Sequence, residues 1–322
     1  MGDVREQDVA RVVQDVIALV AEHYVDPGAA PDISLVLSRS LSEGRYRGDE
    51  RSLADAVTAD LQSVNGDKHL RLLYHADTLP EQQPGDDAQE IAALTRWASQ
   101  TCGGVARVEC LAGNVGYLEI QPVLFPVAIC GEAMSAAMSL VASAHALVID
   151  QRRCIGGDPA MVAFVCSYLH GPEPVELTGL YERKEGRIRQ SWTLPFVPGP
   201  RFGATRPVYV LTSAVSFSGA EQLGYDLQQL GRATIIGERT RGGAHAREGF
   251  RIGPHLEATI SVARGVNPIT GGNWEGTGVT PDLEVPAGRA SDRAYRLALE
   301  HVIALGGATV ADASKALAAL DG

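Results

Sequence analysis

Thr212-Ser-Ala-Val-Ser-Phe-Ser-Gly-Ala-Glu221 separates two differently patterned apolar runs. Before it, Val208, Val210 and Leu211 read as a buried strand. After it, Ala220, Leu223, Leu227 and Leu230 recur at helical spacing, and Gly231 closes the helix. Ala233-Thr-Ile-Ile-Gly237 then reads as a second strand. The turn therefore carries its hydroxyls from a strand end to a helix N-terminus. Backbone N–H groups there lack helical partners, and the helix dipole favours developing negative charge. A serine in this position suits nucleophilic chemistry. It equally suits a plain N-cap, the commoner use of serine at such a turn.

The same alternation extends outward. Asn114–Ile120 and Ala146–Asp150 read as strands, Ala128–Ser143 and Pro159–Leu169 as helices, and Val175–Tyr181 and Ala258–Val262 as further strands. Alternating strands and helices imply a mixed or parallel sheet covered by helices. Towards the N-terminus, Val9–Val25, Ile33–Leu41 and Leu53–Val64 read as helices, the last opened by Asp49 or Ser52, and Leu70–Tyr74 as a short strand. Asp77–Asp87 is polar and aperiodic and reads as a loop. Ala290–Ala304 and Thr309–Leu320 read as terminal helices. The expected division is a helical subdomain over 1–75, a linker and connecting segment over 76–112, an α/β core over 113–288 and C-terminal helices over 289–322.

The sequence has 322 residues, enough for a sizeable core, and a formal net charge of −11. That charge argues against nucleic acid and anionic membranes as partners. No apolar run approaches the roughly 20 residues that span a bilayer. The charged start, Met1-Gly-Asp-Val-Arg-Glu, lacks a signal-peptide core, so a cytoplasmic location is expected. Five cysteines (Cys102, Cys110, Cys130, Cys154, Cys166) without CxxC spacing read as free thiols. No phosphate-binding glycine loop or metal-ligand cluster is present, so neither cofactor nor metal is expected.

Four segments carry candidate chemistry. They are Gly66-Asp-Lys-His69, Asp150-Gln-Arg-Arg-Cys-Ile-Gly-Gly157, the Ser218 turn, and Trp274-Glu-Gly-Thr-Gly-Val-Thr-Pro-Asp282. Taken singly they read as a surface or core histidine, a strand-to-helix connection, a capped helix and a solvated turn. Their order resembles the serine peptidase family of the C-terminal-processing (tail-specific) proteases and the tricorn core protease. The vertebrate interphotoreceptor retinoid-binding protein carries the same module. The likeness covers roughly Val9–Pro286 and rests on Asp67-x-His69-Leu70, Asp150-x-Arg152, Ser218-Gly-Ala-Glu221, Gly231-Arg-Ala-Thr-Ile-Ile-Gly-Glu238 and Glu275-Gly-x-Gly-Val-x-Pro-Asp282.

The resemblance implies an α/β fold with a crotonase-like ββα core and a helical N-terminal subdomain. It implies Ser218 as nucleophile, with Ser213 and Ser216 as turn hydroxyls. One branch of the family activates its serine with a lysine, but Gly243 stands at that position. The other branch uses a histidine and a glutamate, here His69 and Glu275. Neutral imidazole removes the serine proton near pH 7, and a carboxylate orients the imidazole. The oxyanion hole would combine Gly219 N–H with an N–H from Gly156-Gly157. Three departures stand out. Cys154 replaces an asparagine, Lys68 replaces a serine, and Tyr74–Gly113 is too short for a PDZ insertion.

The expected function is a serine hydrolase, a peptidase acting on short peptides or on the C-termini of polypeptides. The alternatives on the same fold are a biosynthetic ester or amide hydrolase and a non-proteolytic binder of a hydrophobic small ligand. The expected partner is a peptide or small-molecule substrate, and homo-oligomerisation is left open.

Overall fold

A computed structural model describes residues 6–80 and 87–320. In sequence order the elements are α1 (Glu6–His23), α2 (Ala30–Ser42), α3 (Glu50–Gln62), β1 (Arg71–Tyr74), α4 (Asp87–Gln100), β2 (Val105–Leu111) and β3 (Val115–Ile120). They continue with α5 (Val127–Val141), β4 (Ala146–Asp150), α6 (Pro159–Leu169), β5 (Glu176–Glu182), β6 (Arg187–Trp192), β7 (Val208–Thr212), α7 (Gly219–Gln229) and β8 (Thr234–Gly237). The last are β9 (His245–Arg251), β10 (Leu256–Val266), β11 (Leu283–Glu284), α8 (Ala287–Leu305) and α9 (Val310–Ala319). The fold mixes helix and sheet and has a helical N-terminal part. Among the described residues, no helix is long and apolar enough to cross a membrane.

Two compact units share these elements. The first gathers residues 6–80, Gly179–Arg189 and Gly243–Val266; the second gathers the rest of the described residues. A linear division at 75, 112 and 288 does not describe these two returns to the first unit. The segment expected to connect, 76–112, also holds α4 and β2. Part of the loop expected over Asp77–Asp87, residues 81–86, lies outside the described residues.

In the first unit, Val9, Val12, Val13, Val16 and Val20 of α1 form one buried stripe at helical spacing. It packs with Ile33 and Leu37 of α2 and with Leu53, Val57 and Leu61 of α3. Asp49 caps α3, its Oδ1 accepting from Ser52 N at 2.9 Å. Leu72, Leu256, Ala258 and Ile260 close the same core from the strands. β10 is the hub of this sheet. It pairs antiparallel with β1 (Arg71↔Thr259), with β9 (Arg251↔Glu257 to His245↔Arg264) and with Gly179–Glu182 of β5.

The second unit is built on a six-stranded sheet ordered β11-β8-β7-β4-β3-β2. β2 pairs antiparallel with β3, and every other pairing is parallel. Alternate residues serve opposite faces. Leu118, Ile120, Leu147, Ile149, Val210 and Ile235 meet α5, α6 and α7. Val115, Tyr117, Val148, Tyr209, Leu211 and Ile236 meet α8 and α9. Burial on both faces explains the unbroken apolar runs of β4 and β7. Their parallel register, Asp150↔Leu211, brings the loops after both strands to the same edge of the sheet. That edge is where open parallel sheets hold ligands.

Candidate active site

Ser218 ends the loop after β7 and stands at the N-cap of α7, half-buried, with φ 53° and ψ −121°. A side chain rarely occupies that backbone region, which stores strain and persists only when the surroundings over-determine it. Here they do. The Ser218 N–H donates to Glu221 Oε2 at 2.8 Å, from one turn into α7. The Phe217 N–H reaches the Cys154 carbonyl at 3.3 Å. Ser216 Oγ donates to the Gln151 carbonyl (2.9 Å), and Ser213 Oγ to the Arg152 carbonyl (2.6 Å). Ser213 and Ser216 therefore stitch the β7 loop to the β4 loop, as turn hydroxyls do.

The β4 loop meets this turn through its glycines. Gly156 and Gly157 have φ near +133° and +135°. A Cβ on Gly156 would stand 3.1 Å from Ser218 Cβ and 3.5 Å from its Oγ. A Cβ on Gly219 would stand 2.7 Å from the Gly157 oxygen and 3.0 Å from its nitrogen. Leu124 anchors the pair: its N–H donates to the Gly156 carbonyl (2.9 Å), and its carbonyl accepts from Asp158 N (2.7 Å). That bridge leaves the Gly157 N–H outside the pairing. The structure thus brings Ser218, Gly156, Gly157 and Gly219 together, backbone against backbone.

Cys154 supports the same loop. It is fully buried, and its thiol reaches the Gly156 carbonyl at 3.4 Å. Burial pushes the thiol pKa up to about 11, so it stays protonated and serves as a small packed donor.

Asp150 and Arg152 form a lock at the end of β4. Arg152 Nε and Nη2 grip both Asp150 oxygens (2.9 and 2.5 Å), and Nη1 donates to the Ala287 carbonyl at 2.7 Å. Tyr117 Oη adds a bond to Asp150 Oδ2 at 2.6 Å. Burial opposes ionisation of Asp150, but these donors outweigh it and hold its pKa below the usual carboxylate value. The Asp-x-Arg element is therefore structural, tying β4 to the start of α8.

Glu275 lies half-buried in the turn after Trp274, its N–H donating to Asn273 Oδ1 at 2.9 Å. Gly276 and Gly278 both have positive φ, and Gly278 N donates to the Trp274 carbonyl at 2.9 Å. This turn packs on residues 240–242. Val279 N donates to Thr240 Oγ1 (2.7 Å), and a Cβ on Gly278 would fall 2.2 Å from the Thr240 oxygen.

His69 belongs to the first unit, where it is buried. Its N–H donates to Asp67 Oδ1 (2.9 Å), and its carbonyl accepts from Thr259 Oγ1 (2.6 Å). The backbone on both sides of the imidazole is thus fixed. Asp67 Oδ2 also pairs with His245 Nδ1 at 2.6 Å.

Two features escape a reading of the sequence. Glu221 marks the serine motif there, yet its carboxylate is fully buried and also holds Thr240 and Gly242. The S-x-x-E spacing of a capping box is the available signal. His245 lies two residues beyond Gly243, and only the fold shows its partner.

A model of peptidase family S41 matches residues 114–285, more than half of the sequence. A model of the N-terminal domain of peptidase S41 in eukaryotic IRBP matches residues 4–101. Among solved structures, the photosystem II D1 C-terminal processing protease is 16% identical with a TM-score of 0.52, covering 88% of this chain and 94% of its own. A candidate peptidase from Parabacteroides merdae is 17% identical with a TM-score of 0.60, covering 92% and 98%. The tricorn protease is 12% identical with a TM-score of 0.55, covering 92% of this chain and 37% of its own. At such identities the likeness is one of fold.

Proposed function

Since the chain belongs to peptidase family S41, we propose that it hydrolyses peptide bonds by a serine mechanism with Ser218 as the nucleophile. Short peptides and the C-termini of polypeptides are the substrates this reading favours. The observation that carries it is the Ser218 turn. A strained serine starts a helix, and the Gly156-Gly157 turn packs closely against Ser218 and Gly219; backbone N–H groups in such a turn suit an oxyanion.

In this proposal Ser218 Oγ attacks the carbonyl carbon of the scissile amide, and its proton passes to the His69 imidazole. The carbonyl oxygen becomes an oxyanion that takes hydrogen bonds from the Gly219 N–H and from the Gly156-Gly157 turn. Losing one such donor slows an acyl-transfer enzyme by roughly 10²–10³-fold. His69 then returns the proton to the leaving amine. Water repeats the sequence and frees the acid from Ser218. Glu275 is the carboxylate assigned to the charged imidazole. The resemblance puts Gly243 where the family's other branch has its lysine, which favours histidine as the base in this proposal.

The test is intact mass after incubation with a fluorophosphonate. One adduct on the wild type, absent from Ser218→Ala and greatly slowed in His69→Ala, supports the reading. A folded wild type that takes no adduct sinks it and favours a non-proteolytic ligand binder on the same fold.

A further inference from the structure

Glu221 is a fully buried carboxylate whose two oxygens serve different parts of the second unit. Oε2 accepts the Ser218 N–H at 2.8 Å. Oε1 accepts the Thr240 hydroxyl at 2.5 Å and the Gly242 N–H at 2.7 Å. Thr240 Oγ1 in turn accepts from Val279 N at 2.7 Å, and Thr240 N donates to the Val279 carbonyl at 3.2 Å. Backbone packing reinforces this series of bonds. A Cβ on Gly242 would stand 2.9 Å from Gly278 N, and one on Gly278 would stand 2.2 Å from the Thr240 oxygen.

One buried carboxylate thus connects the backbone of Ser218 to the 240–242 turn, and that turn to the loop carrying Glu275. A plain capping box satisfies a helix end and no more. Here the second oxygen spends both contacts 19 and 21 residues further along the sequence. A buried carboxylate with three donors is a strong, charge-assisted anchor. It suits the site because the Ser218 backbone stands at φ 53°, a conformation that needs holding.

Resting on the serine-hydrolase reading, we infer that Glu221 is a positioning residue, which fixes the Ser218 backbone and its register with the Glu275 loop through Thr240 and Gly242. All three partners donate, so the position demands an acceptor at both oxygens. Glutamine has the same shape but one NH2 group. Whichever way it turns, a donor faces a donor. Thr240 is the relay, because its hydroxyl donates to Glu221 and accepts from Val279.

The experiment uses the full-length protein and compares wild type, Glu221→Gln, Thr240→Val and Thr240→Ser. Two quantities are read: the second-order rate of fluorophosphonate labelling, and hydrogen exchange at the Ser218 and Gly242 amides. Glu221→Gln should lose exchange protection at both amides and label about 10²-fold more slowly, the scale of a nucleophile displaced by about an ångström. Thr240→Val should slow labelling while retaining protection at Ser218, and Thr240→Ser should restore the rate. A role confined to capping α7 predicts no effect of Thr240→Val, so wild-type labelling in that variant overturns the inference. Thr240→Val also keeps the test open if Glu221→Gln does not fold. A wild type without label sinks the hydrolase reading instead. Exchange still decides on Glu221 in that case, because protection retained in Glu221→Gln overturns its hold on the turn.

Discussion

Asp67 Oδ2 and His245 Nδ1 stand 2.6 Å apart in the first unit, 178 residues apart in sequence. Asp67 is almost fully buried, and its other oxygen takes the His69 N–H. One carboxylate therefore fixes the backbone of one histidine and the ring orientation of another. Bonding at Nδ1 directs the His245 Nε2 away from the pair.

This pair should appear in the pH dependence of stability. Burial by itself raises the Asp67 pKa, but the hydrogen bond and charge of His245 and the His69 N–H outweigh it, and the net shift is downward. A carboxylate with a depressed folded pKa stabilises above its unfolded value, near 4, and loses that contribution as pH falls through the folded value. Asp67→Asn should therefore cost about 3 kcal/mol at pH 7, the scale of breaking a buried pair. The gap to wild type should shrink as pH is lowered below 4. Urea unfolding from pH 3 to pH 8 checks this, and a gap constant across that range would contradict it.

Asp226 has the opposite sign. Burial is the dominant cause and lifts its pKa to about 6, against the lowering bonds from Thr178, Gln222 and Asn267. Thr178 donates to its Oδ1 twice, from N at 2.9 Å and from Oγ1 at 2.6 Å. A folded pKa above the unfolded one means that the folded state holds the proton more tightly. The stability is present in full below pH 4 and is lost as pH rises through about 6, by an amount on the order of 3 kcal/mol. Asp226→Asn keeps the Oδ1 acceptor and cannot ionise. Relative to wild type it should gain stability between pH 5 and pH 8. A difference between the two that is flat in pH would refute the assignment.

The helical stripe of α1 and the continuous apolar strands β4 and β7 were legible because their periodicity follows directly from burial on one side or on both. β6 and β9 were not. Arg187–Trp192 is largely exposed, His245–Arg251 is mostly half-buried, and both are largely polar, so nothing in their pattern marks a strand. The return of residues 243–266 to the first unit depends on β10 pairing with β1, a contact between distant parts of the sequence. The serine turn and the glycine pair could be read locally, since each is a short strand-to-helix turn. The Glu221–Gly242 and Asp67–His245 bonds could not, because their partners meet only once the fold has formed.

The two glycines of the β4 loop should separate folding from reactivity. A Cβ on Gly157 would fall 2.2 Å from the Leu124 oxygen and 2.5 Å from its nitrogen, and φ there is +135°. Backbone cannot yield as a side chain does, so Gly157→Ala should destabilise by more than about 4 kcal/mol or abolish soluble expression. A Cβ on Gly156 would instead meet the Ser218 side chain at 3.1 Å. Its cost is the strained φ, roughly 1–3 kcal/mol. Gly156→Ala should therefore fold, with a lowered melting temperature and much slower fluorophosphonate labelling. Equal labelling rates in Gly156→Ala and wild type would remove this glycine from the reacting surface.

Arg152 should prove structural and hard to replace. Its guanidinium holds both oxygens of Asp150, which is only 3% exposed, and also reaches the Ala287 carbonyl at the start of α8. Arg152→Ala leaves that buried carboxylate with the Tyr117 hydroxyl and the Arg152 backbone N–H. The expected loss is about 3–5 kcal/mol at pH 7, because the uncompensated charge is the main cost. Arg152→Lys supplies charge without the planar fork, and cannot serve both carboxylate oxygens and the carbonyl at once, so it should recover less than half of the loss. Arg187, exposed and paired with Glu185, provides the contrast. Arg187→Ala should change stability by less than about 1 kcal/mol. Asp150 is held below its usual pKa, so its contribution is lost as pH falls, and the Arg152→Ala deficit should narrow towards pH 3. Chemical unfolding of the three variants at pH 7 and pH 3 measures both effects. An Arg152→Ala protein as stable as Arg187→Ala would mean that the Asp-x-Arg element has a use other than holding β4 to α8.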